Sequence, residues 1–275
     1  MISFLTGDDV TRWVTGFVLA GLVAALAWRG RALTLDGAFA AVGVGGIIVG
    51  AGGWWLGSLL VLFFVTSSAL SRLRRRGQRG VVQRGSRRDA VQVLANGGAA
   101  TFATLLFALS DADAWLLGAT SGVAAANADT WSTEIGRWAG RQPRLITSGR
   151  LVAAGTSGGI TLPGTAAALA GAGVIGLGAA LGVAMGWLAL PVESVTALLV
   201  VTLAGLGGAL VDSVLGATVQ RVYRCPHCGQ KTEQPRHRCG AATIPIQGLP
   251  GFTNDTVNAL ATLLAMLAGV GFGLL

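Results

Sequence analysis

The sequence predicts an all-α protein that lies in a lipid bilayer as a bundle of about eight transmembrane helices. Hydrophobic residues make up 52% of the 275 residues and charged residues only 12%, whereas a soluble domain carries about 25% charged residues. A chain with so few charges cannot cover a surface that faces water, but it can face lipid. We therefore expect residues 1–275 to form a single integral membrane domain.

Eight apolar stretches are close to the ~20 residues that a helix needs to cross the hydrocarbon core of a bilayer. Only Gly52 and Gly53 separate the second stretch from the third, so this boundary is the weakest of the set. The predicted spans are residues 10–28, 33–50, 53–71, 91–109, 113–135, 163–188, 194–219 and 255–274.

The abundance of glycine, 43 residues in all, indicates helices that pack backbone to backbone through small residues. Gly46 with Gly50, and Gly178 with Gly182, have the four-residue spacing that such packing uses. The alternative, that each pair reflects base composition alone, stays open at this stage.

The basic residues predict how the spans are oriented. All of the 20 Lys and Arg residues except Arg12 follow the first span or lie between spans three and four, five and six, or seven and eight. These loops share one side of the membrane, and an excess of Lys and Arg marks the cytoplasmic side. We expect a multi-pass protein of the cell membrane with both termini outside. The net charge of +8 then follows from topology and does not indicate a nucleic-acid partner.

Polar residues at the cytoplasmic ends of four spans predict one functional site that faces the cytoplasm. Ionisable side chains inside a span are costly and usually functional, and spacings of three and four place residues on one helix face. The clusters are Asp89, Gln92 and Asn96 in span four; Asn127, Asp129, Thr130, Thr133 and Glu134 in span five; Asp212 and Gln220 in span seven; and Asn254, Asp255 and Asn258 in span eight.

The carboxylates in these clusters predict a divalent cation, because several of them at one membrane face would otherwise repel each other. Oxygen ligands suit Mg²⁺, which also binds substrate phosphates. We assign Asp129 and Asp212 to Mg²⁺, and we include Glu134 and Asp255 in the same catalytic cluster.

Three asparagines are expected to orient phosphate or metal-bound water as neutral ligands: Asn127, Asn254 and Asn258. For Asn254 and Asp255 a second interpretation stays open, because Asn and Asp at a helix start commonly cap it.

The segment at 155–165 is rich in glycine and hydroxyl groups and leads directly into span six. Glycines let backbone N–H groups approach an anion, and a helix N-terminus favours negative charge. We predict a phosphate cradle formed by Gly158, Gly159 and Thr161. The segment lacks the Gly-Lys-Ser/Thr ending of a P-loop, and a flexible linker is the alternative.

Two arginines that flank polar clusters, Arg88 and Arg150, are the predicted phosphate clamps, because guanidinium groups form forked hydrogen bonds with phosphate. Asn96 is the third predicted contact with the phosphate. The other arginines at 72–88 fit a role in topology or contact with anionic lipid head groups.

The cysteines predict a small zinc site in the cytoplasmic loop at 220–250, between the last two spans. Cys225, Cys228, His237 and Cys239 supply four nitrogen and sulfur ligands, as a structural zinc requires. Disulfides are not expected in the reducing cytoplasm. The remaining histidine, His227, is not needed as a ligand.

Six segments of the chain resemble the DUF92 integral membrane proteins, also called the TMEM19 family. They are RRDAVQVLANGG (87–98), AANADTWSTEIG (125–136), GTSGGITLPG (155–164), GALVDSVLGATVQ (208–220), the CPHCG and HRCG halves of the cysteine loop, and NDTVNALATL (254–263). The family includes plant chloroplast enzymes that use a nucleoside triphosphate to phosphorylate phytyl phosphate, together with many uncharacterised members. The resemblance implies a membrane-embedded fold and, for the reaction, an isoprenyl-phosphate kinase.

The residues agree in kind with that reaction, because phosphoryl transfer needs mainly positioning and charge neutralisation. We expect a Mg²⁺-dependent kinase that converts an isoprenyl monophosphate to its diphosphate with a nucleoside triphosphate. A transporter of a small or phosphorylated solute, another isoprenyl-phosphate transferase or phosphatase, and a scaffold protein are the alternatives. Association of the chain as a homo-oligomer is left open.

Overall fold

A computed structural model describes residues 7–77 and 87–275 of the protein. The described chain is mostly helical, as expected, with short strands in its loops. The helices are α1 (Gly7–Arg29), α2 (Leu35–Gly77), α3 (Ala90–Ser110), α4 (Ala114–Trp138), α5 (Leu162–Ala184), α6 (Ser194–Thr218) and α7 (Asn254–Gly273). The strands are β1 (Arg144–Leu145), β2 (Gly159–Ile160), β3 (Val222–Arg224), β4 (Lys231–Thr232) and β5 (Ile244–Gln247).

Six helices in the described residues are long and apolar enough to cross a membrane, so the expected count of eight separate spans is not confirmed. Two physical reasons account for the difference. The second and third predicted spans form one element, α2, and the fifth, α4, is too polar to qualify. Most of the arginine-rich loop between α2 and α3, including Arg79 and Arg84, lies outside the described residues.

Helix α2 reverses direction at Gly53, whose φ of 83° and ψ of 173° are not helical. A straight helix would put Leu35 and Arg72 about 55 Å apart, at about 1.5 Å per residue. Instead Arg72 Nη2 donates to the carbonyl of Gly30 at 3.0 Å, just before α2 begins. The element is therefore a hairpin with a first arm at residues 35–52 and a second arm at residues 54–77.

Helix α4 lies at the centre of the bundle and contacts α2, α3, α5, α6 and α7. Every residue from Leu116 to Ala128 is buried. Protein rather than lipid surrounds this helix, so it does not need the apolar surface that α1 presents, and its polar residues carry no cost of contact with lipid. This explains why α4 is too polar to be recognised as a span by composition.

Small residues let the other helices approach α4 closely. A Cβ atom on Gly205 of α6 would lie 2.8 Å from Ala124 Cβ, and one on Gly208 would lie 2.6 Å from Ala125 Cβ. Real Cβ contacts are not this short, so glycine is required at both positions. Packing through small residues is thus present between α4 and α6.

The two glycine pairs singled out in the sequence have a different role. Side chains rather than backbones approach them: the rings of Phe17 and Trp13 lie against Gly46 and Gly50. The side chains of Leu59 and Trp55 lie against Gly178 and Gly182, and Trp55 Nε1 donates to the Gly178 carbonyl at 2.8 Å. These glycines provide room for large side chains.

Two small sheets lie at one end of the bundle. Strands β1 and β2 pair antiparallel in the connection from α4 to α5. Strands β3, β4 and β5 form an antiparallel sheet of order β4-β3-β5 between α6 and α7. At this same end, α4 and α6 finish and α7 begins, so the predicted polar residues of those helices meet beside the sheets.

We predict that Gly205→Val destabilises the protein, whereas Gly207→Val on the same helix does not. A side chain at Gly205 would overlap Ala124 and Ala172, while a Cβ on Gly207 would have no neighbour within 4 Å. Overpacking of this kind costs about 1–3 kcal/mol. Thermal unfolding of the two variants in detergent would measure the difference, and equal midpoints would contradict the close α4–α6 packing.

Candidate functional site

The carboxyl groups of Asp129 on α4 and Asp212 on α6 lie within hydrogen-bonding reach of each other. Two ionised carboxylates so close together would repel each other, so the pair needs a shared proton or a bound cation. Asn258 on α7 completes the group. Its amide nitrogen, in the orientation that satisfies its partners, donates to Asp212 Oδ1 at 2.8 Å and to the Asn254 carbonyl at 3.2 Å. Three helix ends thus meet at one polar cluster, which we call the carboxylate site.

The start of α7 is capped by Thr253, whose hydroxyl accepts a hydrogen bond from the Thr256 N–H at 3.3 Å. The alternative in which Asn254 or Asp255 caps this helix is therefore wrong. Asp255 is buried in the first turn of α7, where the helix N-terminus favours a negative charge.

Glu134, five residues after Asp129 on α4, accepts a hydrogen bond from Ser71 Oγ of α2 at 2.7 Å. Glu134 and Arg137 are both close enough to Asp129 to interact with it electrostatically, with opposite signs. The polar residues at the end of α4 thus extend from the carboxylate site to the second arm of α2.

Sequence reasoning missed Glu233, an exposed carboxylate of the cysteine loop whose charge acts on the carboxylate site. Its Oε1 atom accepts from Gln220 Nε2 at 2.9 Å and from Ser157 Oγ at 3.2 Å, and its charge acts on Asp212. One signal could have revealed it, because it is the sole acidic residue between Asp212 and Asp255 in a segment rich in Lys and Arg.

Asn127 is fully buried and links three helices. Its Nδ2 donates to the Gly171 carbonyl of α5 at 2.8 Å, and its Oδ1 accepts from the hydroxyls of Thr66 and Ser67 of α2 at 3.2 and 3.4 Å. Both ends of the amide are used in these contacts. Its predicted role as a phosphate ligand stays a prediction, and the structure assigns it a place in helix packing.

The predicted phosphate cradle is an ordered segment, so the flexible-linker alternative is wrong. Gly158, with φ of +76°, packs against Ala217 of α6 so closely that no other residue would fit. Gly159 belongs to β2, and Thr161 caps α5 by accepting from the Gly164 N–H at 3.1 Å. These contacts hold the α4–α5 connection next to α6, and contact with a phosphate stays a prediction.

The two predicted arginine clamps lie in different parts of the fold. Arg150 is exposed in the connection between β1 and β2. Arg88 precedes α3, and its guanidinium lies over the rings of Phe63 and Phe64 at 5.5 and 5.7 Å. Asn96 lies on α3, where its Nδ2 donates to the Gln92 carbonyl at 2.8 Å.

The four predicted zinc ligands come together in the loop between α6 and α7. The ligand atoms of Cys225, Cys228, His237 and Cys239 all lie within 4.8 Å of one another. Sulfur atoms around a tetrahedral zinc with bonds of ~2.3 Å are about 3.8 Å apart, and Cys225 Sγ lies 3.6 Å from Cys239 Sγ. The donor set and its spacing fit a structural zinc.

The surroundings of Cys225 favour the thiolate that a metal ligand requires. Burial of the sulfur raises the pKa of the Cys225 thiol, but hydrogen bonds from the backbone N–H groups of Cys228 and His227, together with those from the thiols of Cys228 and Cys239, lower the pKa below its ordinary value. His227 itself is outside the group of four, as the sequence indicated.

Comparison with known proteins gives relatives along most of the chain. Residues 18–266 match the family model described as "Integral membrane protein DUF92". Protein PGR of Arabidopsis thaliana is 33% identical, over 92% of this chain and 93% of that protein. An uncharacterized membrane protein of Methanocaldococcus jannaschii is 30% identical, over 78% of this chain and 87% of its own length. No solved structure matches the chain.

We predict that the purified protein contains about one zinc per chain. His237→Ala should lose the metal because it removes one of the four ligands, whereas His227→Ala, two residues from Cys225, should keep it. Elemental analysis of both variants in reducing buffer makes the comparison. Equal zinc in the two variants would contradict the assigned ligand set.

Proposed function

Because the chain belongs to the DUF92 family of integral membrane proteins, we propose that it is a Mg²⁺-dependent kinase acting on an isoprenyl monophosphate. It transfers the γ-phosphoryl group of a nucleoside triphosphate to the acceptor phosphate and forms the diphosphate. The observation that carries this proposal is the contact between Asp129 and Asp212, supported by Asn258, at the ends of three membrane helices.

The donor set of the carboxylate site suits a hard divalent cation. It consists of carboxylate and amide oxygens, the ligands that Mg²⁺ prefers, and Mg²⁺ reaches such sites together with substrate phosphates. Asp129 and Asp212 are the proposed metal ligands. Glu233 adds a third negative charge from the side of the loop, and Gln220 and Ser157 hold it in place. When bound, the cation would neutralise charge on the phosphoryl group in transfer.

The reaction needs no general base from the protein. The acceptor is a phosphate monoester, whose second pKa is about 6, so its oxygen is already ionised near neutral pH. That oxygen forms a bond to the γ-phosphorus, the bond from the γ-phosphorus to the bridging oxygen breaks, and the nucleoside diphosphate leaves. The residues of the site therefore have to position two anions and offset their repulsion. None of the described residues of the carboxylate site is a histidine, in agreement with this requirement.

We also propose that the chain crosses the membrane eight times, with both termini outside and the carboxylate site facing the cytoplasm. The hairpin form of α2 supports two crossings within that element, and the position of α4 among five other helices supports a crossing by α4. The connections that carry β1 to β5 are rich in Lys and Arg, which supports a position on the cytoplasmic side of the membrane.

Replacing either proposed metal ligand should abolish most of the kinase activity. Asp129→Asn and Asp212→Asn remove a charge that would hold the cation, and loss of one preorganised electrostatic contact costs about 10²–10³-fold in rate. Asp113→Asn at the other end of α4 is the matched control, since Asp113 makes no capping hydrogen bond. Diphosphate formation from a panel of isoprenyl phosphates and nucleoside triphosphates, followed by mass spectrometry, is the measurement.

Full activity in both variants, with the protein folded and in the membrane, would remove the carboxylate site from the mechanism. Solute transport by the reconstituted protein, with no diphosphate formed from any acceptor, would instead favour the transporter alternative.

Labelling of single cysteines would test the proposed orientation. A membrane-impermeant thiol reagent added to intact cells should modify Ala112→Cys, in the connection between α3 and α4, because that connection is proposed to lie outside. The same reagent should not modify Ser148→Cys, in the connection that carries β1 and β2, nor the native cysteines. Labelling of Ser148→Cys in intact cells would reverse the proposed orientation.

A further inference from the structure

A cavity of about 330 Å³ lies between α1, the two arms of α2 and α3, apart from the carboxylate site. Its walls are almost entirely apolar, and small residues such as Ala20, Ala41 and Gly45 create the space. Arg88, just before α3, and Gln92 and Asn96, in its first two turns, line one end, and Ser58 lines the cavity from the second arm of α2. The hydroxyl of Ser58 donates to the Trp55 carbonyl of its own helix, so the charged group and both amides are gathered at one end.

The arginine at the polar end is held in a defined position. The Arg88 N–H donates to the Ala32 carbonyl at 2.9 Å, and the Arg88 carbonyl accepts from the Thr34 N–H at 3.0 Å. This backbone bridge ties the start of α3 to the connection between α1 and α2. The guanidinium lies over Phe63 and Phe64 at the cavity wall. A positive charge is therefore present at one end of a largely apolar cavity.

The dimensions of the cavity fit one apolar chain. Along the second arm of α2 the lining residues extend from Trp54 to Phe64, which corresponds to about 15 Å of helix. The volume is at the lower end of the range of about 300–1,000 Å³ seen for ligand sites. A two-chain phospholipid would leave one chain outside, whereas a single-chain amphiphile with an anionic head matches both the volume and the charge.

The second arm of α2 lines the cavity and also contacts α4, the helix that carries Asp129. Phe63 and Phe64 face the cavity, and the next residues of the same arm, Thr66 and Ser67, bond to Asn127 of α4. One turn later Ser71 bonds to Glu134. The polar end of the cavity therefore lies beside the helix that carries Asp129.

We propose that this cavity binds the hydrocarbon chain of the isoprenyl monophosphate, with the phosphate at the Arg88 end, and that the length of the cavity from Arg88 to Trp54 sets the preferred chain length. This inference rests on the proposed function, which supplies the acceptor. It goes beyond the proposed function in giving the position of the hydrocarbon chain of the acceptor and the residues that select its length.

Equilibrium binding in the absence of nucleotide tests the cavity separately from the reaction. The probes are isoprenyl monophosphates of two, three and four isoprene units, titrated onto the purified protein in detergent. Val49→Phe narrows the cavity at the end near Trp54 and should weaken binding of the longest probe by about tenfold or more relative to the shortest. Ala108→Phe, on the exposed face of α3 outside the cavity, is the matched control and should leave the profile unchanged.

Two further variants keep the test decisive if Val49→Phe folds poorly. Leu60→Ala enlarges the cavity and should shift the preference toward the longest probe, a gain that misfolding cannot produce. Arg88→Gln should weaken all probes by a similar factor, because it acts on the common phosphate. A chain-length profile that is the same in Val49→Phe, Leu60→Ala and the wild-type protein would overturn the inference.

The outcomes separate the two proposals. Binding that follows these expectations, with no diphosphate formed from any nucleoside triphosphate, would leave the cavity assignment standing and remove the kinase. Diphosphate formation with an unchanged chain-length profile in both cavity variants would leave the kinase standing and remove the cavity assignment.

Discussion

The burial of α4 among five other helices is the constraint on which the rest of the structure depends. A helix that meets protein on every side can carry polar groups within a membrane, but its neighbours must come close enough to exclude lipid. The alanines from Ala124 to Ala128 and the glycines opposite them, Gly205 and Gly208, permit that approach. Hydroxyl groups such as that of Thr120 donate to carbonyls of their own helix, so these donors are paired without water inside the bundle.

Polar contacts at one end of α4 connect the parts of the fold that packing alone would leave independent. Asn127 joins α4 to α2 and α5, and two residues later Asp129 joins it to α6. A residue that packs three helices together and a proposed metal ligand thus lie two positions apart on the same helix. The loop between α6 and α7 contributes through Glu233, so its Cys and His cluster and the carboxylate site share a single short segment of chain.

The sequence alone predicts the helices well, because twenty-residue apolar stretches and charged loops leave strong signals; the bounds of α1, α3, α6 and α7 lie within a few residues of the predicted spans. The four Cys and His ligands were found for a similar reason, since their spacing is local. Contacts between distant residues were harder to foresee. Nothing local distinguishes a glycine that faces Trp13 from one that faces a backbone, and Thr161 offers the same hydroxyl to a helix cap as to a phosphate. Glu233 was missed because its partners, Gln220 and Ser157, are brought to it by the fold.

The hairpin of α2 also bears on how the chain enters the bilayer during synthesis. Its tip consists of Ala51, Gly52, Gly53 and Trp54, with no charged or hydrogen-bonding group other than the indole, which favours the membrane interface. Moving a charged loop across the hydrocarbon core is costly, but this tip requires no such transfer. Each arm also supplies an apolar surface to the other before any later helix exists. The two arms can therefore be inserted together as one unit.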